Sequence, residues 1–126
     1  MGIELVWDDE ARSILRYDFQ PGWTLDDFDV AERQLHELLA DVPHTIDVIA
    51  HFVPGTEPPI GAFSRFRQIQ EEMPPQVGVV IVTNGGPLVA MLLAVFLRVY
   101  HQYAARLWLA DSLEDARRQI AARPRT

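Results

Sequence analysis

The sequence predicts a single α/β domain built on a mixed five-stranded sheet with an N-terminal β-hairpin and helices on the sheet faces. Three observations carry this. The chain has 126 residues, enough for one hydrophobic core and no second. Short apolar runs alternate with stretches of helical periodicity in the order ββαβαβαβα, and strands that alternate with helices build parallel crossovers. The first two runs alternate apolar and polar residues around a polar break. That is a hairpin, so one antiparallel pair joins the parallel strands.

Each element has its own local reason. Ile3, Leu5 and Trp7 alternate with polar neighbours, Asp8-Asp9-Glu10-Ala11 breaks the run, and Leu15, Tyr17 and Phe19 alternate again. Strands are expected over 3–7 and 13–19, ended by Pro21-Gly22. Thr24 with Asp27 three residues later resembles a capping box. Asp26, Asp27 and Asp29 follow in the first turns, where the helix dipole favours anions. Phe28, Ala31, Leu35, Leu38 and Leu39 make an apolar stripe, with Asp29, Glu32, Arg33, His36 and Glu37 on the opposite face, so a helix spans 25–41. Ile46, Val48, Ile49 and Phe52 mark a largely buried strand over 45–52. The proline-rich stretch from Val53 to Pro59 is an exposed loop.

Phe63, Phe66, Ile69 and Met73 mark a second helix, stopped by Pro74-Pro75. Val77–Val82 is wholly apolar apart from a glycine, as a central strand buried on both faces requires. A third helix runs from 87 to 102, with Pro87 at the first helical position. Leu107-Trp108-Leu109 is the last strand. Ser112 caps the last helix, whose stripe is Leu113, Ala116 and Ile120. The domain is expected to occupy 1–122 and to leave 123–126 as a frayed tail.

Composition excludes several functions. There is no cysteine, which removes disulfides, thiolate metal sites and thiol catalysis. All 11 basic residues are arginine, against 18 acids, for a net charge of −7. Such a chain repels phosphate backbones at long range, so a nucleic-acid partner is not expected. Charge is uneven: residues 1–62 carry 13 acids and 3 Arg, residues 63–126 carry 5 acids and 8 Arg. The 21 uncharged residues between Gln76 and Arg98 are long enough to span a membrane. The β-branched run followed by Asn84-Gly85-Gly86-Pro87 reads instead as strand, turn and helix, so no membrane span is expected. The N-terminus has neither a basic region followed by an apolar run nor a Ser/Thr at position six for myristoylation, which leaves the cytoplasm as the expected compartment.

The element order at this length, Trp23-Thr24-Leu25-Asp26-Asp27-Phe28 at the first helix, Val79-Val80-Ile81-Val82-Thr83 closing the central strand and Leu107–Ala116 opening the last unit together resemble the STAS domains of the anti-sigma-factor-antagonist type. The resemblance implies a non-enzymatic domain that binds partner proteins. Regulatory members of that family carry an Asp-Ser/Thr-Ser-Gly element, phosphorylated on a serine, where the third strand meets the second helix. Residues 51–62 hold no such element here, and Thr56 is the only hydroxyl in the loop and the only phosphoacceptor candidate.

Candidate chemistry is sparse. His36, His44, His51 and His101 show no metal-ligand spacing. Asp8-Asp9 and Asp26-Asp27 have turn and capping explanations, and none of Ser13, Ser64 and Ser112 sits in a nucleophile motif. No enzyme, metal or cofactor is expected. Asn84, Gly85 and Gly86 at a helix start form a candidate anion seat. In the third helix, apolar residues from Met91 through Leu88, Leu92 and Phe96 to Leu97 cover an arc of about 240° at about 100° per residue. A helix lying on one sheet needs an arc nearer 100°. The excess predicts an interface of Leu88, Leu92, Leu93, Phe96, Leu97 and Tyr100, with a homodimer or a regulatory protein as the partner. The alternative is a small-ligand protein, for a lipid or an anion, using a pocket near this helix and the Asn84–Pro87 turn.

Overall fold

In a computed structural model that describes residues 2–123, the chain forms five strands and four α-helices in the predicted order. The elements are β1 (Ile3–Trp7), β2 (Ile14–Phe19), α1 (Leu25–Leu39), β3 (Ile46–Phe52), α2 (Ala62–Glu71), β4 (Val77–Thr83), α3 (Gly86–Val99), β5 (Leu107–Ala110) and α4 (Leu113–Ala122), with a short 3₁₀ turn at His101–Tyr103. The hairpin β1–β2 is antiparallel, and β2, β3, β4 and β5 follow one another in parallel.

This order decides where the helices go. Parallel crossovers are right-handed, and three of them stepping in one direction place their helices on the same face. Accordingly α1, α2 and α3 share a core with Leu15, Tyr17, Phe19, Val48, Ala50, Val80, Val82 and Leu107, the side chains of alternate strand positions. The intervening positions Ile49, Val79, Ile81 and Ala110 pack on the opposite face under Ala116 and Ile120 of α4. That face is covered only in part. Over β2 it carries Arg16 and Asp18, where Asp8 accepts from both Arg16 (2.6 Å) and Arg117 (2.7 Å), tying the hairpin to α4.

The caps form as the sequence indicates. Thr24 Oγ1 accepts the Asp27 N–H (3.1 Å) and Asp27 accepts the Thr24 N–H (3.0 Å). Ser112 Oγ accepts the Asp115 N–H (3.1 Å). Two details depart from expectation. Leu38 is exposed rather than part of the α1 stripe. Arg123 belongs to no frayed tail: its guanidinium donates twice to the buried carboxylate of Asp47 (2.6 and 3.0 Å). Asp47 lies where the β3–β4 register slips, and its Oδ1 also takes the Val79 N–H (3.0 Å). Gly78 is required beside it, because a Cβ there would stand 2.5 Å from Asp47 Oδ1. The remainder of the predicted tail, 124–126, lies outside the described residues.

Candidate functional site

Helix α3 is the first candidate surface. Its inner side holds Val89, Leu93 and Phe96, with Phe96 almost wholly buried at 1% exposure. Phe63 and Phe66 of α2 meet that ring edge-on, and Tyr103 stacks on it. The outer side is bare: Leu88, Met91, Val95 and Val99 are 46%, 57%, 45% and 59% exposed. These four lie within an arc of about 80°, so they form one stripe along the helix. The interface expected from the sequence is therefore corrected. Leu93 and Phe96 face the subunit's own core, Leu92, Leu97 and Tyr100 are half-buried flanks, and of the six only Leu88 lies on the open stripe. Met91 and Val99 belong to the apolar arc, and Val95, which the sequence reading passed over, falls between Met91 and Leu88 in angle, but the arc alone does not say which side turns outward.

A cavity of about 100 Å³ lies under α3, between the sheet and α1, α2 and α3. Eight aromatic rings line it, from Tyr17, Phe19, Trp23, Phe28, Phe52, Phe63, Phe66 and Phe96. Four of the lining residues carry polar side-chain groups. The Tyr17 hydroxyl donates to the carboxylate of Glu32, and the Trp23 indole N–H and the Gln70 amide N–H are buried without a hydrogen-bond partner among the described residues. Burial pushes the Glu32 carboxyl up to about 7, and nearby Glu72 and Asp29 add to the rise against the lowering effect of the Tyr17 hydroxyl.

Glu32 is thus not a member of the solvated α1 face where its sequence neighbours place it. It stands four residues after Phe28, one turn along the inner stripe, and Gln70 stands four after Phe66 in the same way. A polar residue on an apolar stripe is the signal that reveals both. Glu32 and Ile69 also line a polar groove between α1 and α2, where Arg65 bonds Asp29 and where Arg33, His36 and Glu72 stand.

The other candidates are absorbed by the fold. Thr56 is buried and its hydroxyl donates to the Phe19 carbonyl (3.1 Å), so a kinase reaches it only if the loop opens. The turn at Asn84, Gly85 and Gly86 has structural reasons for both glycines. A Cβ on Gly85 would stand 2.5 Å from the Val89 side chain, and Gly86 has φ +72°. Asn84 itself adopts φ 59°, which asparagine tolerates better than most residues. Asp9 accepts the N–H groups of Ser13 and Ile14 in the hairpin turn. His44 bonds the Arg12 carbonyl (3.2 Å), and His51 Nδ1 shares a hydrogen bond with the fully buried Thr83 hydroxyl (2.7 Å). No group of three or more His, Cys, Asp or Glu side chains stands ready for a metal ion among the described residues. Nor is any helix among them long and apolar enough to cross a membrane.

No family model, no curated protein and no solved structure matches the chain.

Proposed function

We propose that this chain is a non-enzymatic interaction module of STAS-like type that pairs with a second copy of itself through the outer face of α3. The observation that carries the reading is the open stripe of Leu88, Met91, Val95 and Val99, four apolar side chains about half exposed on one helix. Contiguous apolar surface of this kind is stabilised when a partner removes it from water. A second copy is the occupant favoured by charge. No Asp or Glu occurs between Glu72 and Asp111, although the chain as a whole carries −7. Two subunits related by a two-fold axis can therefore lay stripe on stripe without bringing acids together. The helix of 14 residues is about 21 Å long, which makes it the centre of such an interface, with neighbouring surface supplying the rim.

Sedimentation equilibrium tests this. The wild-type chain is expected to be a dimer at micromolar concentration. Val95→Arg, which alters only an exposed position, is expected to be a monomer with unchanged circular dichroism. A wild-type chain that stays monomeric at hundreds of micromolar, where even a weak pair would assemble, overturns the reading.

A further inference from the structure

The aromatic rings that line the cavity under α3 belong to two separate groups. Tyr17, Phe19, Trp23, Phe28 and Phe52 contact one another. Phe63, Phe66, Phe96, Tyr100 and Tyr103 form the second group, gathered around Phe96. Among the described residues no ring of one group pairs with a ring of the other, and the cavity of about 100 Å³ is lined by rings of both. Its floor is made by small side chains of the sheet, Val48, Ala50, Val80 and Val82, with Ala50 standing between Tyr17 and Val82 in the strand register. The gap offers an occupant almost nothing but carbon. The Tyr17 hydroxyl and the Glu32 carboxyl are engaged with each other, and the Trp23 and Gln70 N–H groups are enclosed by packing with essentially no surface open to the cavity. Water needs two to four polar partners in such a space and is a poor occupant of this one, whereas an apolar molecule restores the dispersion contacts that the wall atoms lack.

We propose that this cavity binds a small aromatic hydrocarbon, a single ring without a polar substituent. Size sets the first limit. The space is about 100 Å³, of the order of the roughly 150 Å³ engineered apolar cavity that binds benzene, so a long acyl chain does not fit. Polarity sets the second limit. A hydroxyl, an amine or a carboxylate would give up hydrogen bonds to water and find no partner in return. Shape sets the third. Aromatic pairs gain from edge-to-face and offset contacts at centroid separations of roughly 4.5–7 Å, and a flat ring in the gap makes such contacts with both groups at once, bridging Phe28 and Phe52 to Phe66 and Phe96. The wall formed by α2 is the one that yields to admit it. Phe63, Phe66 and Met73 are only half-buried, and α2 starts at Gly61 without a side-chain cap.

Benzene, cyclohexane and phenol, three rings of similar size, test each limit. Each is titrated into the full chain and followed by NMR at the methyls of Val82 and Leu93. Benzene is expected to shift both signals saturably and to show nuclear Overhauser contacts to both methyls. The absence of a saturable shift up to the solubility of benzene, or of those contacts, overturns the proposal. Phenol and cyclohexane are each expected to bind at least fivefold more weakly than benzene, and a smaller difference for either overturns it. Ala50→Leu, which raises the cavity floor, is expected to abolish the benzene shifts with circular dichroism unchanged, and a folded variant that binds benzene like the wild type overturns it. The contacts measured on the wild-type chain decide the matter even if that variant does not fold. Val95→Arg, altered on the outer side of α3, is expected to bind benzene as the wild type does. Loss of binding there would place the ring on the outer stripe rather than in the cavity and would overturn the proposal without touching the self-association reading.

Discussion

Glu32 shows how one side chain becomes sensitive to pH through its neighbours. Its carboxyl is pushed up to about 7, first by burial and then by Glu72 and Asp29. In the unfolded chain a glutamate titrates near pH 4.3. Between about pH 4.5 and 7 the folded protein therefore holds a proton that the unfolded chain has released. Unfolding loses that proton, so this group's contribution falls as pH rises through the window and is constant above it. His51, whose ring is shifted down by burial, acts in the opposite direction below its ordinary range. The comparison that isolates Glu32 is with Glu32→Gln, which keeps an acceptor for the Tyr17 hydroxyl. Denaturant unfolding is expected to show the variant gaining on the wild type steadily from pH 4.5 to 7, reaching at most about 4 kcal/mol above that. A difference that is flat across the range would mean that Glu32 does not titrate there.

Helix α3 carries two incompatible surfaces on one cylinder. Its inner side is core, centred on Phe96, which touches rings from α2, from Tyr100 just past its own end and from the 3₁₀ turn beyond. Its outer side is apolar and open. Substitutions one residue apart should consequently part company. Phe96→Asp places a charge and a void in the aromatic cluster and is expected to lose at least about 4 kcal/mol, a large part of the roughly 5–15 kcal/mol that holds such a domain folded. Val95→Arg should leave the thermal midpoint within a degree or two of the wild type when both are melted at concentrations low enough for the wild type to be monomeric, and should fall below it only where the wild type is paired. Circular dichroism melts decide it: a well-folded Phe96→Asp would show that the helix is rotated from the position described. The wide apolar arc was readable from residue spacing alone, but spacing measures angles between residues and says nothing about which angle points at the sheet. That is why the expected interface included Leu93 and Phe96 and missed Met91, Val95 and Val99.

Across the molecule, charge and apolar surface are segregated. Acids gather in the hairpin, α1 and α4, while the chain from β4 through α3 to β5 carries none. An α3–α3 pair held by apolar contact has no ion pairs to screen, and the two subunits repel one another only at long range through their net charge. Raising salt shortens the screening length from about 30 Å at 0.01 M to about 3 Å at 1 M. The dimer dissociation constant is therefore expected to stay level or fall with added salt. A tenfold rise would identify ion pairs at the interface and hence a surface other than α3.

Several features of this protein follow from short stretches of chain. The hairpin alternation, the Thr24–Asp27 and Ser112 caps, the buried run of β4 and the order of elements are all local, because hydrogen bonding within a turn and periodicity within a strand or helix involve residues close in sequence. Once that order exists, right-handed crossovers leave one face for α1, α2 and α3. Other features exist only where distant segments meet. Asp47 and Arg123 meet where the end of α4 returns to the sheet, and Tyr17 and Glu32 meet where α1 settles on it. Whether a side chain is buried, paired or left facing a void depends on what the neighbouring element places opposite it, and no periodicity within a single segment carries that information.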